Sequence, residues 1–239
     1  CLSNLLRLLL KRGRVIVQNP DDYRFMQNLG ISNKTLHLIR GSGVDLQKFH
    51  PKIEQNRELP VVMLVSRMLR DKGICEFVEA AEILRQQGLK GRFILIGDQD
   101  QSNRASLKES ELMAWQEAGV VEWWGHRDDI AACFIKADIA CLPSYREGLP
   151  KSLLEAAACG LPIVTTDVPG CREVVKHSDN GLLVPVRNSL ALAEAIRLLL
   201  ENPTLRRRMG KRCRERVEQE FSVEHVVQQT LAVYKELLT

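Results

Sequence analysis

From residue 60 onward, short continuous apolar runs alternate with amphipathic segments, and few folds accommodate that rhythm. The runs expected as strands are Val61–Val65, Arg92–Ile96, Val120–Trp124, Asp138–Leu142, Pro162–Thr165 and Gly181–Val184. Between them, helical spacing predicts helices over Ile74–Gln87, Ser110–Ala118, Asp129–Lys136, Ser152–Cys159 and Cys171–Lys176. The runs carry β-branched residues without polar alternation, so both faces of each strand need covering, as in a parallel sheet. Strand–helix repetition then reads as successive βαβ units. The fold class expected is α/β, a Rossmann-like doubly wound parallel sheet of about six strands.

Ligands of such sheets bind outside the carboxyl ends of the strands. The loops to search therefore begin near Ser66, Gly97, Gly125, Pro143, Thr166 and Pro185. The ends of the chain differ. Residues 1–45 offer a basic amphipathic helix, a strand at Val15–Val17, a second helix and a short strand at Leu36–Ile39, too little for a sheet of its own. They read as the tail of a preceding domain and its linker. Residues 46–220 read as the main domain and 221–239 as a closing helix, with helix breaks at Asn202–Pro203 and Phe221–Ser222.

Composition narrows the partners. With 239 residues and 45% hydrophobic content, one sizeable core is expected. A net charge of +4, with both signs mixed, lacks the dense basic face of a nucleic-acid binder. The seven cysteines contain no C-x-x-C pair and lie in apolar runs, which suits reduced core thiols and a cytoplasmic setting. No stretch reaches the ~18–20 apolar residues of a membrane span, and the opening CLSNLLRLLLKRGR reads as the cut end of a longer chain.

Glu147 and Glu155 stand eight apart in SYREGLPKSLLEAAACG. Inside one helix, at about 100° per residue, that step turns the two side chains to different headings. With Glu147 in a loop eased by Gly148, and Pro150 at the helix start, both carboxylates can line one cleft. A helix start with free N–H groups suits an anion, and flanking carboxylates accept hydrogen bonds from hydroxyls. Anion plus hydroxyls describes a nucleotide-sugar. The alternative is a solvated Glu147 and a Glu155 paired with a nearby cation. Arg67 and Lys72 follow the first long strand and suit a diphosphate, though two ordinary surface charges remain the alternative. His126 and Arg127 lie at the same edge, fit either to touch a nucleobase or to cap the next helix with Asp128. No G-x-G-x-x-G, G-x-x-x-x-G-K-[ST] or G-x-S-x-G loop occurs, which argues against dinucleotide redox chemistry, ATP hydrolysis and a serine hydrolase. No metal-binding Asp-x-Asp is read at a strand end, so a metal-free reaction is expected.

Taken in order, QNPDD (18–22), GSGVDLQKFHP (41–51), VSRMLRDKG (65–73), PSYREGLPKSLLEAAACGLPIVTTDVPGCREVV (143–175) and NGLLVP (180–185) carry a resemblance. The chain resembles the carboxyl-terminal, donor-binding half of retaining GT-B glycosyltransferases, specifically glycosyltransferase family 4 (group 1). It looks most like bacterial enzymes of cell-surface polysaccharide synthesis. The resemblance implies that Glu147 sits at the transferred sugar and that Glu155 binds ribose hydroxyls. It places Arg67 and Lys72 on the diphosphate, and Gly148 and Leu149 in a turn whose amides face the donor. Ser144, Pro150 and Lys151 flank that turn and join His126 and Arg127 in the expected donor-binding set.

The implied reaction moves a hexose or N-acetylhexosamine from a nucleotide-sugar, UDP-linked, to a lipid-linked or saccharide acceptor. Stereochemistry is retained in a front-face mechanism, with no metal and no cofactor beyond the donor. The implied partners are the missing amino-terminal domain, the acceptor and, through Lys11, Arg12 and Arg14 beside LLRLLL, the inner face of a membrane. Those leucines equally suit packing into the missing domain. The isolated chain is expected to bind donor without turnover. The alternatives are a nucleotide-sugar epimerase of the same fold and an inactive nucleotide-sugar binder.

Overall fold

The computed structural model describes residue 10 and residues 13–41, 43–51 and 58–238. Most of the expected opening helix, with Lys11 and Arg12, lies outside them, as does Cys1.

The chain first forms β1 (Val15–Val17), α1 (Pro20–Asn28) and β2 (Leu36–Leu38). These segments do build a sheet of their own, contrary to expectation, because β1 and β2 pair in parallel across the α1 crossover. Two features make so small a unit hold. Asn19 caps α1, accepting the Asp22 N–H at 2.8 Å, with Pro20 at the first helical position. Val15, Val17, Ile31 and Leu36 bury a separate cluster, flanked by Tyr23 and Met26.

The alternation begins with β3 (Val61–Val65), a 3-10 turn (Arg70–Lys72) and α2 (Ile74–Gln86). It continues through β4 (Arg92–Ile96), α3 (Glu109–Glu117), β5 (Glu122–Trp123), α4 (Ile130–Ile135) and β6 (Ile139–Leu142). Then come α5 (Lys151–Ala158), β7 (Ile163–Thr166), α6 (Pro169–Val174) and β8 (Gly181–Val184). The helices α7 (Ser189–Glu201), α8 (Pro203–Glu220) and α9 (Val223–Leu238) close the chain.

The six long-range strands form one parallel sheet in the order β5-β4-β3-β6-β7-β8. The apolar strands are covered on both sides: Val62, Met63 and Leu64 of β3 are fully buried. Burying each such side chain contributes roughly 1.5–3 kcal/mol, so the centre of the sheet anchors the domain. Phe77 of α2 meets Phe93 of β4 edge-on at 5.7 Å, fixing that helix over the strands. Five of the six cysteines within the described residues are buried, and all six are free thiols.

Several boundaries shifted by a residue, and two moved further for physical reasons. The expected strand Val120–Trp124 shrinks to Glu122–Trp123, since β5 is an edge strand with only β4 to pair with. The helix expected from Cys171 instead starts at Pro169, whose missing N–H costs nothing there. Among the described residues, no helix is long and apolar enough to cross a membrane. Arg14, offered above as a membrane contact, sits 3.4 Å from Glu236.

Candidate active site

Register sets the rim. Val65 pairs with Ile96 across β3 and β4, and Val62 with Ile139 across β3 and β6, so the loops after β3, β4 and β6 leave the sheet together. Chain order runs outward from β3 on one side and from β6 on the other. The β3–β6 junction is therefore the switch point where this architecture opens a crevice.

Lys72 and Glu147 meet over that junction. Lys72 Nζ donates to Glu147 Oε1 at 2.6 Å, with the two side chains only 19% and 12% exposed. The backbone holds both ends. Tyr145 N–H donates to the Asp71 carbonyl at 2.8 Å, and Ser144 Oγ to the same carbonyl at 3.1 Å. Gly170 N–H, in the first turn of α6, donates to the Glu147 carbonyl at 3.2 Å, and Asn19 Nδ2 to the Gly148 carbonyl at 3.2 Å. Two glycines permit this closeness. A Cβ on Gly73, which also has φ +74°, would strike the Pro143 carbonyl. A Cβ on Gly170 would strike the carbonyls of Glu147 and Gly148.

Arg67, His126 and Arg127 stand apart from this seam. They line a cleft of ≈ 460 Å³ above β3, β4 and the loop after β5, shared with Asp98, Gln99 and Asp100. Each has a local carboxylate. Arg67 Nη1 lies 2.6 Å from Asp100, His126 Nε2 3.1 Å from Asp128, and Arg127 grips Asp129 through two bonds of 2.8 and 2.9 Å. The His126–Asp128 and Arg127–Asp129 pairs sit at the start of α4, but no side chain there caps its N–H groups; Asp129 accepts instead from the Cys133 thiol of α4 at 3.8 Å. A hydrogen bond from Ser102, with Arg67 beside it, holds the Asp100 carboxyl below its ordinary range.

An Asp-x-Asp does follow a strand, at Asp98–Gln99–Asp100 after β4, against the expectation drawn from sequence. Asp100 already receives Arg67 and the Ser102 hydroxyl, the latter at 2.7 Å. Among the described residues, no three His, Cys, Asp or Glu side chains gather as a metal set would require.

The remaining expected residues divide. Glu155 sits one turn into α5, 3.7 Å from Lys151 Nζ, its carboxylate 13% exposed. Burial raises its pKa above the ordinary value, while Lys151 and Lys48 pull it back. Its cations are thus different from those of Glu147. Pro150 is the N-cap of α5 and supplies no side-chain cap, so no side chain of its own cap blocks that helix start. Leu149 packs against Gly41, where a Cβ would collide with it. Ser144 is fully buried, and its hydroxyl is spent on the Asp71 and Arg146 carbonyls. Sequence reading missed Gly170, Asn19, Asp100, Tyr145 and Glu76. Asn19–Pro20 carried the local signal of a helix start, and Pro169–Gly170 one that reads equally well as a turn.

A family model described as glycosyl transferases group 1 matches residues 45–216, which hold both the seam and the cleft. The chain belongs to that family. Over 223 residues it is 34% identical to the N,N'-diacetylbacillosaminyl-diphospho-undecaprenol alpha-1,3-N-acetylgalactosaminyltransferase of Campylobacter jejuni, covering 88% of this chain and 57% of that enzyme. This group 1 chain thus spans little more than half the length of that relative. Among solved structures, sucrose-phosphate synthase from Thermosynechococcus elongatus superposes with a TM-score of 0.84 at 28% identity, over 99% of this chain and 61% of that one. Anabaena HepE, solved in complex with UDP, gives 0.85 at 22% identity over 98% and 67%, a likeness of fold.

Proposed function

We propose that this chain is the donor-binding half of a retaining glycosyltransferase. It takes a hexose or N-acetylhexosamine from a UDP-sugar and passes it to a lipid-linked or saccharide acceptor, in bacterial surface polysaccharide synthesis. The observation that carries the reading is the half-buried Lys72–Glu147 pair at the switch point, beside a cleft bearing Arg67. The undecaprenol-linked acceptor named for the Campylobacter relative supports the lipid-linked choice, and the UDP in HepE supports the donor nucleotide. A lipid acceptor brings the enzyme to the inner membrane surface.

Breaking the sugar–phosphate bond leaves negative charge on the diphosphate and positive charge on the sugar ring. Lys72 has three donors, so it can keep Glu147 while offering its others to phosphate oxygens. Arg67 and the open α5 start add to that stabilisation, the work a metal does in other transferases. Glu147, held at the same point, orients the sugar and steadies its developing charge. The acceptor oxygen bonds to the anomeric carbon on the face the diphosphate leaves, and its proton passes to the departing phosphate oxygen. Glu155 receives the ribose hydroxyls, and residues 1–45 belong to the acceptor half of the enzyme.

The test is a titration of UDP, GDP and ADP into this chain, followed by transfer assays on the complete enzyme with and without EDTA. UDP is expected to bind best and activity to survive chelation. Glu147→Gln is expected to cut turnover at least about 100-fold with donor affinity nearly unchanged, since its interaction grows in the transition state. A Glu147→Gln enzyme at full turnover, or one whose loss lies wholly in affinity, removes the assigned role.

A further inference from the structure

Two residues from the Glu147 carboxylate lies a buried polar contact that the reaction as described leaves idle. Tyr145 Oη donates to Glu76 Oε1 at 2.5 Å. Glu76 is 9% exposed, stands in the first turn of α2 and leaves Oε2 without any partner. Burying a carboxylate with one oxygen unsatisfied costs stability, so its persistence calls for a return. Arg187, from the loop after β8, places its guanidinium 4.6 Å from the centre of the Tyr145 ring. That arginine holds a left-handed backbone, φ 56°, which a non-glycine residue adopts at a cost. Two costly features, the half-satisfied Glu76 carboxylate and the left-handed Arg187, therefore converge on one phenol.

Their geometry gives the phenol a task. Glu76 lies four residues beyond Lys72, across the left-handed Gly73 that separates the 3-10 turn from α2, and Tyr145 lies two residues before Glu147. The contacts 72–147 and 76–145 are thus two rungs between the start of α2 and the loop carrying Glu147. Backbone bonds at Tyr145, Glu147 and Gly148 hold the main chain of the loop, and the second rung adds a side-chain tie from that loop to α2. Burial and the Glu76 carboxylate push the phenol up to about 12, so it stays a donor at any working pH.

We propose that Tyr145 is a positioning residue: fastened to Glu76 and covered by Arg187, it fixes the angle at which Glu147 meets the sugar. The inference rests on the role given to Glu147 above and adds the device that aims it. Tyr145 need not touch donor or acceptor.

The experiment is a double-mutant cycle in the complete transferase, reading kcat, UDP affinity and melting temperature. Tyr145→Phe keeps the ring and deletes only the rung, and misplacing a reacting group by about 1 Å is expected to lower kcat roughly 10- to 100-fold. UDP affinity is expected to stay within about twofold, because the phosphate-gripping cations are untouched. Glu76→Leu is expected to produce the same loss, and the double variant no further loss, as partners in one contact are not additive. Glu76→Gln keeps an acceptor oxygen and is expected to restore kcat to within about threefold of wild type. Tyr145→Phe with a lower melting temperature but wild-type kcat overturns the proposal, as does kcat falling in step with UDP affinity, or additive losses in the double variant. Glu147→Gln in the same assay separates the two levels. If it retains turnover, the role of Glu147 fails; if it loses turnover while Tyr145→Phe does not, only the positioning role fails.

Discussion

The seam over β3 and β6 and the cleft over β4 and β5 share one rim but are built on opposite plans. At the seam, backbone meets backbone at distances only glycine allows, and the one charged pair is largely shielded from water. In the cleft both arginines are well exposed and held by a carboxylate close by in sequence or on the facing loop. Exposed pairs of that kind contribute little, at most about 1 kcal/mol each, and give way readily to a competing anion. The seam is thus made to keep one geometry and the cleft to trade partners. For the proposed reaction this division is apt: the sugar has to be aimed, whereas the nucleotide diphosphate has to arrive and leave.

The sharpest way to break the comparison is Gly170→Ala. The added methyl meets the carbonyls of Glu147 and Gly148, neither of which is the free end of a flexible side chain. Overpacking of this kind costs roughly 1–3 kcal/mol, and displacing Glu147 is expected to lower kcat about 100-fold. UDP affinity should fall far less than kcat, because the cleft that holds Arg67 does not include α6. Wild-type turnover in this variant would show that the seam yields as easily as the cleft.

Why the seam was the harder half to foresee follows from how each part is encoded. Strand positions are written locally: VVMLV and RFILI declare buried strands wherever they stand, and both appeared at the expected bounds. The expected cleft cations likewise needed only the rule that loops after parallel strands face the ligand. Gly170, by contrast, matters because of carbonyls more than twenty residues away, and Glu76 because of a phenol at a separation of 69. Nothing in the spacing of either residue announces such a partner. Ser144 illustrates the opposite error, since its place in the motif points it toward ligand while the structure turns it inward to Asp71. The sheet of β1 and β2 went unexpected because strand count alone underrates a helix that covers both strands.

A milder test works on the cleft. Arg67→Ala removes an exposed cation whose pairing with Asp100 supports the fold little, so melting temperature should move by less than the equivalent of about 0.5 kcal/mol. Losing a charge-assisted contact to the diphosphate is expected to weaken UDP binding about tenfold. The loss should shrink as salt is added, since the site is solvent-exposed and screened. A large drop in stability, with no change in UDP affinity, would mean that Arg67 belongs to the scaffold and that the two regions differ less than described.

The smallest expected effect concerns Glu155, which lies between the two plans: buried like the seam, yet paired only loosely with Lys151. Burial raises its folded-state pKa above the ordinary 4.5, so folding disfavours the charged form. Below pH 4.5 both states carry the proton and no penalty exists. Between 4.5 and the raised folded-state value the unfolded chain gives up the proton first, so the penalty grows across that window and is complete above it. Glu155→Gln removes that charge, so its melting temperature should exceed wild type by roughly 1 to 3 °C at pH 7 and converge with it near pH 4. UDP affinity should fall in the same variant, because a carboxylate kept at a cost to stability is then being kept for the ribose hydroxyls. A variant less stable than wild type at pH 7 would reverse the reasoning: the cations around Glu155 would outweigh its burial, and its place in α5 would be explained by the fold alone.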